Sequence, residues 1–311
     1  MGKRPHVTVV GSLNMDISVT VPSLPGPGMT VLGSSARFSP GGKGGNQAVA
    51  AARLGAEVRM VGCVGDDAFG RQLLGDLEAE HVGTGHVRVI PGTPTGLAMI
   101  AVDSSAENLI VVAPGANHEV DPTDVAAAPS TDVLVISAEI PVPTIRSALV
   151  HLPGVLRILN LAPVPHDVAA LIPDFADRLD WLVVNESEAA ALLNDLDQAS
   201  DRNPAEAAAA LVTRGARHAV VTAGAHGAAL AGPEGTHTIP GFKVQAVDTV
   251  GAGDTFVGAL AVALAAGVLP QLAVRAAAAA GAAAVTRPGA QTAMPGPADI
   301  LSITGLKWPK T

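Results

Sequence analysis

Short apolar runs alternate with segments of helical periodicity along most of the chain. The runs have the length of single strands buried on both faces, and they lie at 6–10, 58–64, 133–137, 157–161, 181–184 and 219–222. Between them, apolar residues recur every three or four positions, which predicts helices at 46–54, 69–80, 145–152, 186–193 and 206–214. This alternation predicts an α/β fold with right-handed βαβ units, a doubly wound and mostly parallel sheet flanked by helices.

A second pattern covers parts of the first 113 residues. Strands are predicted at 16–21, 30–38, 95–102 and 109–113, and no helices alternate with them. These strands predict a small separate sheet, which cannot bury both of its faces alone. We therefore expect a single domain over residues 1–311 with a β-sheet lid, whose strands lie at approximately 16–38 and 95–113.

Composition narrows the class of protein. Of the 311 residues, 48% are hydrophobic and 15% are charged, which is enough apolar material for a buried core. The formal net charge of −9 argues against nucleic acid as a partner, although a nucleotide can still bind through backbone N–H groups. The single cysteine, Cys63, excludes an internal disulfide and fits a reducing compartment, so we expect a cytoplasmic location.

Two apolar segments raise the question of a signal peptide or a membrane span. The run at 7–10 is too short for the apolar core of a signal peptide. Residues 255–274 contain no charge, but Pro270 and Gln271 interrupt them and Ala and Gly are frequent. We interpret this stretch as a buried helix, a turn and the start of a second helix, and expect no membrane contact.

The strongest chemical signal is the segment DTVGAGD at 248–254. Three small residues, Gly251, Ala252 and Gly253, precede an acid that opens a helical segment. Small residues let an anion approach the backbone closely, and a helix N-terminus offers free N–H groups and partial positive charge. The loop can therefore bind a phosphoryl group in transfer, while Asp254 accepts the proton of the attacking hydroxyl. The alternative is that Asp254 only caps the helix.

A second signal is the glycine cluster GGKGG at 41–45, which leads into a helix. It is not a Walker A loop, because the Gly-Lys-Ser/Thr ending is missing. Asn14 and Asp16 lie two positions apart, so that on a strand both side chains project to one face. With Lys43 and Asn46 they form a polar set that suits the vicinal hydroxyls of a sugar. An ordinary turn is the alternative for the first two residues.

These motifs make the chain similar to the ribokinase family of carbohydrate kinases, also called the PfkB family. The resemblance covers about residues 7–291. It is carried by GSLNMD at 11–16, GGKGGNQA at 41–48, GDD at 65–67, NLAP at 160–163, NESE at 185–188 and DTVGAGD at 248–254. The resemblance implies a ribokinase-like fold and the ATP-dependent phosphorylation of D-ribose at its 5-hydroxyl to give ribose 5-phosphate. Deoxyribose or another small sugar is the alternative acceptor, and a non-catalytic sugar-binding protein on this fold is a third possibility.

The resemblance implies roles for individual residues. Asp254 is the expected catalytic base, with an anion hole formed by Gly251, Ala252 and Gly253. The expected sugar-binding residues are Asn14, Asp16, Gly42, Lys43, Asn46, Glu139 and Asp254. The expected nucleotide-binding residues are Asn185, Thr222, Gly224, Gly227 and Gly253. Simpler roles are open for two of these residues, a solvated loop acid for Glu139 and a helix N-cap for Asn185.

The family also implies two cations and an assembly. Glu188 is expected to hold the Mg²⁺ that accompanies ATP, through water, because Mg²⁺ uses few carboxylates. One position departs from the family pattern, since Ala293 stands where the family often has Ser. Either Thr292 replaces that ligand or K⁺ activation is weaker. We expect a homodimer formed through the lid. The expected K⁺ ligands, mostly backbone carbonyls, are in Asp248, Val250, Ala284, Arg287 and Gly289.

Overall fold

The computed structural model describes residues 4–103, 107–150, 154–165, 171, 175, 178–197 and 202–309. The strands are β1 (His6–Val10), β2 (Asn14–Thr20), β3 (Arg37–Gly41), β4 (Glu57–Gly65), β5 (Val82–Ile90), β6 (Gly96–Val102), β7 (Asn108–Ala113), β8 (Val133–Ser137), β9 (Leu156–Asn160), β10 (Trp181–Asn185), β11 (His218–Thr222), β12 (Gly227–Gly232) and β13 (Gly235–Pro240). The helices are α1 (Lys43–Arg53), α2 (Ala68–Ala79), α3 (Pro122–Ala126), α4 (Val142–Val150), α5 (Glu186–Asp197), α6 (Pro204–Thr213), α7 (Ala252–Ala265), α8 (Pro270–Ala284) and α9 (Pro297–Thr304).

The larger sheet has nine strands in the order β13-β12-β11-β10-β9-β8-β1-β4-β5. Every neighbouring pair from β11 to β5 is parallel, whereas β12 and β13 are antiparallel additions at one edge. Consecutive residues of the central strands point to opposite faces of the sheet, and each face is covered by a separate hydrophobic core. Val9 and Val135 pack in one core with α1, α7 and α8, whereas Val10 and Ile136 pack in a second core with α4, α5 and α6. The predicted doubly wound, mostly parallel sheet is confirmed.

The smaller sheet has four strands in the order β3-β2-β6-β7. Strands β6 and β7, which correspond to the predicted strands at 95–102 and 109–113, pair in antiparallel fashion, and β2 pairs in parallel with β6. All residues of β7 are exposed, and its apolar run includes Ile110 and Val111, at 53% and 48% exposure. This sheet therefore presents an uncovered apolar surface in the single chain.

Parallel strands bring several predicted site residues to one edge of the larger sheet. The carboxyl ends of β8, β9, β10 and β11 lie at Ser137, Asn160, Asn185 and Thr222, and β1 ends just before Gly11. This edge is where open α/β sheets bind their ligands. The predicted Glu139 follows β8 by two residues and so lies at the same edge.

Helices α1 and α7 contact each other through small residues. A Cβ added at Gly258 of α7 would lie 2.7 Å from the carbonyl oxygen of Gln47 and 2.8 Å from the Cβ of Ala50, both in α1. The two helices therefore lie almost backbone to backbone. Because the first turns of both helices are close, Asn46 of α1 reaches Asp254 of α7.

Some predicted boundaries were wrong. The predicted strand at 30–38 is regular only from Arg37, and it continues to Gly41. Helix α1 begins at Lys43 rather than at Asn46, because Gly44 and Gly45 can lie directly on the turn that follows β1. A Cβ at Gly44 would lie 2.7 Å from the carbonyl carbon of Gly11. Strands β5, β12 and β13 were missed.

The uncharged stretch at 255–274 forms most of α7, a turn and the start of α8, as predicted. Among the helices of the described residues, none combines the length and apolarity needed to cross a bilayer.

Candidate active site

Asp254 lies in the first turn of α7, and its carboxylate points toward α1. The residue that caps this helix is Gly251, whose φ of 74° is in the left-handed region that glycine adopts readily. The alternative role of Asp254 as N-cap is therefore wrong. Instead, its Oδ2 accepts a hydrogen bond from Asn46 Nδ2 at 2.8 Å, and its Oδ1 accepts one from Gln47 Nε2 at 3.1 Å.

A chain of amides holds this carboxylate in place, and sequence reasoning missed it. Asn160 Nδ2 donates to the carbonyl of Val183 at 3.1 Å, which leaves Asn160 Oδ1 to accept from Gln47 Nε2 at 2.9 Å. Gln47 is fully buried. The motifs GGKGGNQA and NLAP contain Gln47 and Asn160, but only the folded chain brings both residues to Asp254.

The backbone next to Asp254 offers donors for an anion. Within the described residues, the N–H groups of Gly251 and Gly253 have no backbone acceptor, as expected at a helix N-terminus. The N–H of Ala252 instead donates to the carbonyl of Thr249 at 3.3 Å. Two of the three predicted anion-hole amides are therefore free of backbone partners.

Glu139 is tied to the N-terminus of α1. Its Oε2 accepts hydrogen bonds from Ser12 Oγ at 2.5 Å and from the backbone N–H of Lys43 at 3.2 Å. A carboxylate is favourable at this position because the helix N-terminus carries partial positive charge. The alternative of a solvated loop acid is therefore wrong for Glu139.

The pKa of the Asp16 carboxyl group is shifted by burial and by nearby charges. The pKa of Asp16 is raised from 3.8 to about 7, mainly by burial and also by the nearby carboxylates Glu139 and Asp254, while Lys43 partly offsets the rise. These interactions require the four side chains to be near one another. The sequence-predicted sugar set and the predicted base thus converge on one site.

Lys43 is the cation of this group. Burial alone would lower the pKa of its ammonium, but Asp254, Glu139, Glu188 and Asp16 together raise that pKa above its usual value. One ammonium faces four carboxyl groups, so the site has an excess of negative charge when all of them are ionised.

The NESE element starts helix α5. Asn185 Oδ1 accepts from the backbone N–H of Glu188 at 2.8 Å, and Glu188 Oε2 accepts from the N–H of Asn185 at 2.8 Å. This reciprocal pair is a capping box, which supports the helix-start role of Asn185. Burial raises the pKa of Glu188, and Asp254 raises it too, while the Asn185 N–H and Lys43 lower it. Glu188 therefore also lies close enough to the central group to interact with it.

The predicted nucleotide loop lies beside that element. Thr222 of β11 is paired with Asn185 of β10, and the turn that follows contains Gly224 and Gly227, both with positive φ. Thr222 Oγ1 donates to the carbonyl of Val184 at 3.3 Å. The structure thus brings Asn185 and Thr222 together at the carboxyl edge of the sheet.

Asp248 joins two loops near α7. Its Oδ1 accepts from the N–H of Val250 at 3.0 Å, and its Oδ2 accepts from the N–H of Gly289 at 2.8 Å. Three predicted K⁺ residues are therefore in contact. Arg287 points elsewhere, since its guanidinium bonds Asp299. The hydroxyl of Thr292 donates to the carbonyl of Pro288 at 3.1 Å, beside Gly289.

A cleft next to these loops was not predicted from the sequence. Its volume is about 350 Å³, within the range of small-molecule sites. The cleft adjoins Asp248, because the preceding residue, Val247, is part of its lining. The N–H groups of both residues donate to the carbonyl of Val285. The cleft is lined by Lys243, Val244, Gln245, Val247, Thr286 and Ile303.

Comparison with other proteins identifies the family. Residues 4–297 match the family described as pfkB family carbohydrate kinase. The chain is 38% identical to the ribokinase of Bacillus subtilis over 298 residues, which cover 93% of this chain and 96% of that protein. It is 34% identical to the deoxyribokinase of Salmonella typhimurium over 263 residues, 82% of this chain and 84% of that protein.

Solved structures agree with the sequence relatives. A ribokinase from Thermotoga maritima superimposes with a TM-score of 0.85 at 35% identity, covering 95% of this chain and 98% of that one. The Arabidopsis thaliana ribokinase complexed with ribose and ATP gives a TM-score of 0.83 at 29% identity, covering 98% and 100%. The α/β fold with its polar edge is that of a carbohydrate kinase. The chain belongs to the pfkB family of carbohydrate kinases.

Proposed function

We propose that this enzyme transfers the γ-phosphate of ATP to the 5-hydroxyl of D-ribose and releases ribose 5-phosphate and ADP. The observation that carries the proposal is the position of Asp254. Its carboxylate is fixed by Asn46 and Gln47 and lies next to the free N–H groups of Gly251 and Gly253. A base and an anion site side by side are what phosphoryl transfer to an alcohol requires.

The reaction follows from this arrangement. Asp254 accepts the proton of the sugar hydroxyl, and the resulting oxygen attacks the γ-phosphorus in line with the departing ADP. The N–H groups of Gly251 and Gly253 donate to the phosphoryl oxygens as negative charge develops on them. Closure of the lid sheet would exclude water and so limit hydrolysis of ATP.

The sugar is held on the other side of the base. Asn14 and Asp16 face it from β2, and Lys43 and Glu139 face it from the α1 side, with Asn46 and the backbone of Gly42 completing the set. Asn46 Oδ1 is buried without a partner among the described residues, so a sugar hydroxyl would satisfy it.

The nucleotide lies along the sheet edge toward β11 and β12. Its phosphates approach Gly253 and the loop of Thr222, Gly224 and Gly227, with Asn185 nearby. The base of the nucleotide occupies the cleft of about 350 Å³ beside Asp248. This placement puts the γ-phosphate at the N-terminus of α7, where partial positive charge favours it.

The residues fit the two cations that the family implies. The negative charge left over around Lys43 favours a divalent cation between the carboxylates and a triphosphate. Glu188 would hold Mg²⁺ through water, and the ion would neutralise charge on the transferred phosphoryl group. K⁺ would be held by the carbonyls near Asp248, Val250, Ala284, Arg287 and Gly289, with Thr292 taking the place of the family's Ser.

We further propose a cytoplasmic homodimer. The exposed face of β7, with Leu109, Ile110, Val111 and Val112, is large and apolar, and a second copy of the lid would cover it. The single cysteine, Cys63, is buried and unpaired, as fits a reducing cytoplasm.

The family also contains deoxyribokinases, one of which is a relative of this chain. Release of ADP in a coupled assay, with ribose and 2-deoxyribose compared by kcat/KM, tests the choice. A site that hydrogen-bonds the 2-hydroxyl rejects the analogue that lacks it. A higher kcat/KM for deoxyribose would replace ribose as the substrate. Binding of both ligands without any release of ADP would support a non-catalytic sugar-binding protein.

A further inference from the structure

Asn117 lies in the segment that returns from the lid to the core, and it is 1% exposed. All its described side-chain bonds go to the start of β2. Its Oδ1 accepts from the N–H of Leu13 at 2.8 Å, and its Nδ2 donates to the carbonyl of Leu13 at 3.2 Å and to Asn14 Oδ1 at 2.7 Å. Asn117 thus binds both the backbone and the side chain of the strand that faces the sugar.

These bonds fix which way each amide points. The N–H and C=O of Leu13 cannot exchange places, so Asn117 must direct its oxygen to the first and its nitrogen to the second. The same nitrogen then faces Asn14, whose side chain must turn its oxygen toward it. If Asn14 were reversed, two NH₂ groups would face each other in a buried place, and each would lack an acceptor there.

We propose that Asn117 is a positioning residue that makes Asn14 a hydrogen-bond donor to the sugar. The NH₂ group of Asn14 faces the ligand, while Asp16, two residues further along β2, supplies acceptor oxygens. A hydroxyl that accepts from Asn14 can donate to Asp16 or to water. This inference rests on the proposed sugar site, and it specifies the polarity of that site.

Gly96 protects this arrangement. It is the partner of Asn14 across β2 and β6, and a Cβ at this position would lie 2.3 Å from both Asn117 Nδ2 and Asn14 Oδ1. A side chain at position 96 would therefore push the two amides apart. Gly96→Ala is a second, independent way to break the Asn117–Asn14 bond.

The test uses the isosteric change Asn117→Asp. The new carboxylate can still accept from Leu13, but it cannot donate to Asn14, so that the amide of Asn14 turns to donate to it. The sugar then meets the oxygen of Asn14, and its KM should increase about 10- to 100-fold. The KM for ATP should not change. Asn203→Asp is the matched control, because Asp also caps helices well and Asn203 lies at the exposed start of α6.

A double-mutant cycle separates positioning from general damage. In an Asn14→Ala background, adding Asn117→Asp should change the sugar KM by less than about twofold, because the residue through which Asn117 acts is absent. Additive effects of the two changes would overturn the inference. Thermal unfolding checks each variant, and Gly96→Ala serves in place of any Asn117 variant that does not fold.

A measurement on the unliganded protein decides the point even if ribose is not the substrate. The side-chain NH₂ protons of Asn117, which are bonded to Leu13 and Asn14, should exchange with solvent more slowly than those of Asn14. Equal exchange rates or the opposite order would refute the inference. Absence of turnover with either sugar would refute the proposed function alone.

Discussion

Replacing Asp16 by Asn should make the unliganded protein more stable at neutral and alkaline pH. The carboxyl group of Asp16 is buried near Glu139 and Asp254, and its pKa is about 7 instead of 3.8. Lys43 lowers this pKa but does not restore the usual value. Ionised Asp16 is therefore less favourable in the folded chain than in the unfolded one, which is a cost of keeping an acceptor ready for the sugar.

The direction follows from proton linkage. Between pH 3.8 and about 7 the folded state binds a proton at Asp16 that the unfolded state has released, so stability falls as pH rises through this window. The shift corresponds to about 4 kcal/mol at most. Solvent screening reduces this value, because the side chain is only partly buried. Asn cannot ionise and does not carry this cost.

Urea unfolding of the wild type and of Asp16→Asn, at about pH 4.5 and about pH 8, measures the effect. The difference in the free energy of unfolding should move in favour of Asp16→Asn by about 2–3 kcal/mol between these two pH values. Comparing two pH values removes any pH-independent effect of the substitution. Glu107→Gln is the control, because it removes a carboxylate from an exposed position of the lid.

A difference between wild type and Asp16→Asn that stays constant from about pH 4.5 to about pH 8 would refute the reasoning. It would mean that the carboxyl group is not buried among other acids in solution. The same substitution should weaken sugar binding, so that gain in stability and loss of affinity arise from one group.

Three further outcomes are expected. Asp254→Asn should reduce kcat about 10²- to 10⁴-fold with both ligands still bound, and near-normal turnover would contradict the role of base. Lys43→Ala should raise the sugar KM about tenfold or more, and an unchanged KM would remove Lys43 from the sugar site. Val111→Lys should yield monomers in sedimentation analysis, while Leu272→Lys, at an exposed apolar position outside the lid, should not. A Val111→Lys dimer would exclude assembly through the face of β7.

The central strands of the larger sheet were predicted well from the sequence, because the pattern that indicates each of them is local. The buried strands from β8 to β11 are short apolar runs, and each was found within about one residue of its bounds. Strand β12 was missed because its sequence, GAALAG, has neither the alternation nor the β-branched residues typical of a strand. Strand β5 contains Gly83 and Gly85, which interrupt its pattern in the same way.

The site was predicted in part, for a different reason. Asp254, Lys43 and Asn14 stand in motifs that are recognisable along the chain. Gln47 lies within such a motif, but its role is not apparent from the sequence, and no motif marks Asn117. Asn117 contacts Leu13 and Asn14 across 104 and 103 residues of sequence. Contacts of that kind depend on the register of the two sheets, which no local pattern specifies.

The close approach of α1 and α7 has a consequence for how this enzyme can change. Gly258 and Ala50 set the separation of the helices α1 and α7, whose N-terminal turns carry a proposed sugar-binding residue, Lys43, and the proposed base, Asp254. A larger residue at this contact would separate the two helices and so move both of their N-terminal turns, without replacing any side chain of the site. Mutational screens should therefore find altered acceptor size at buried alanines and glycines that lie about one helical turn away from the site.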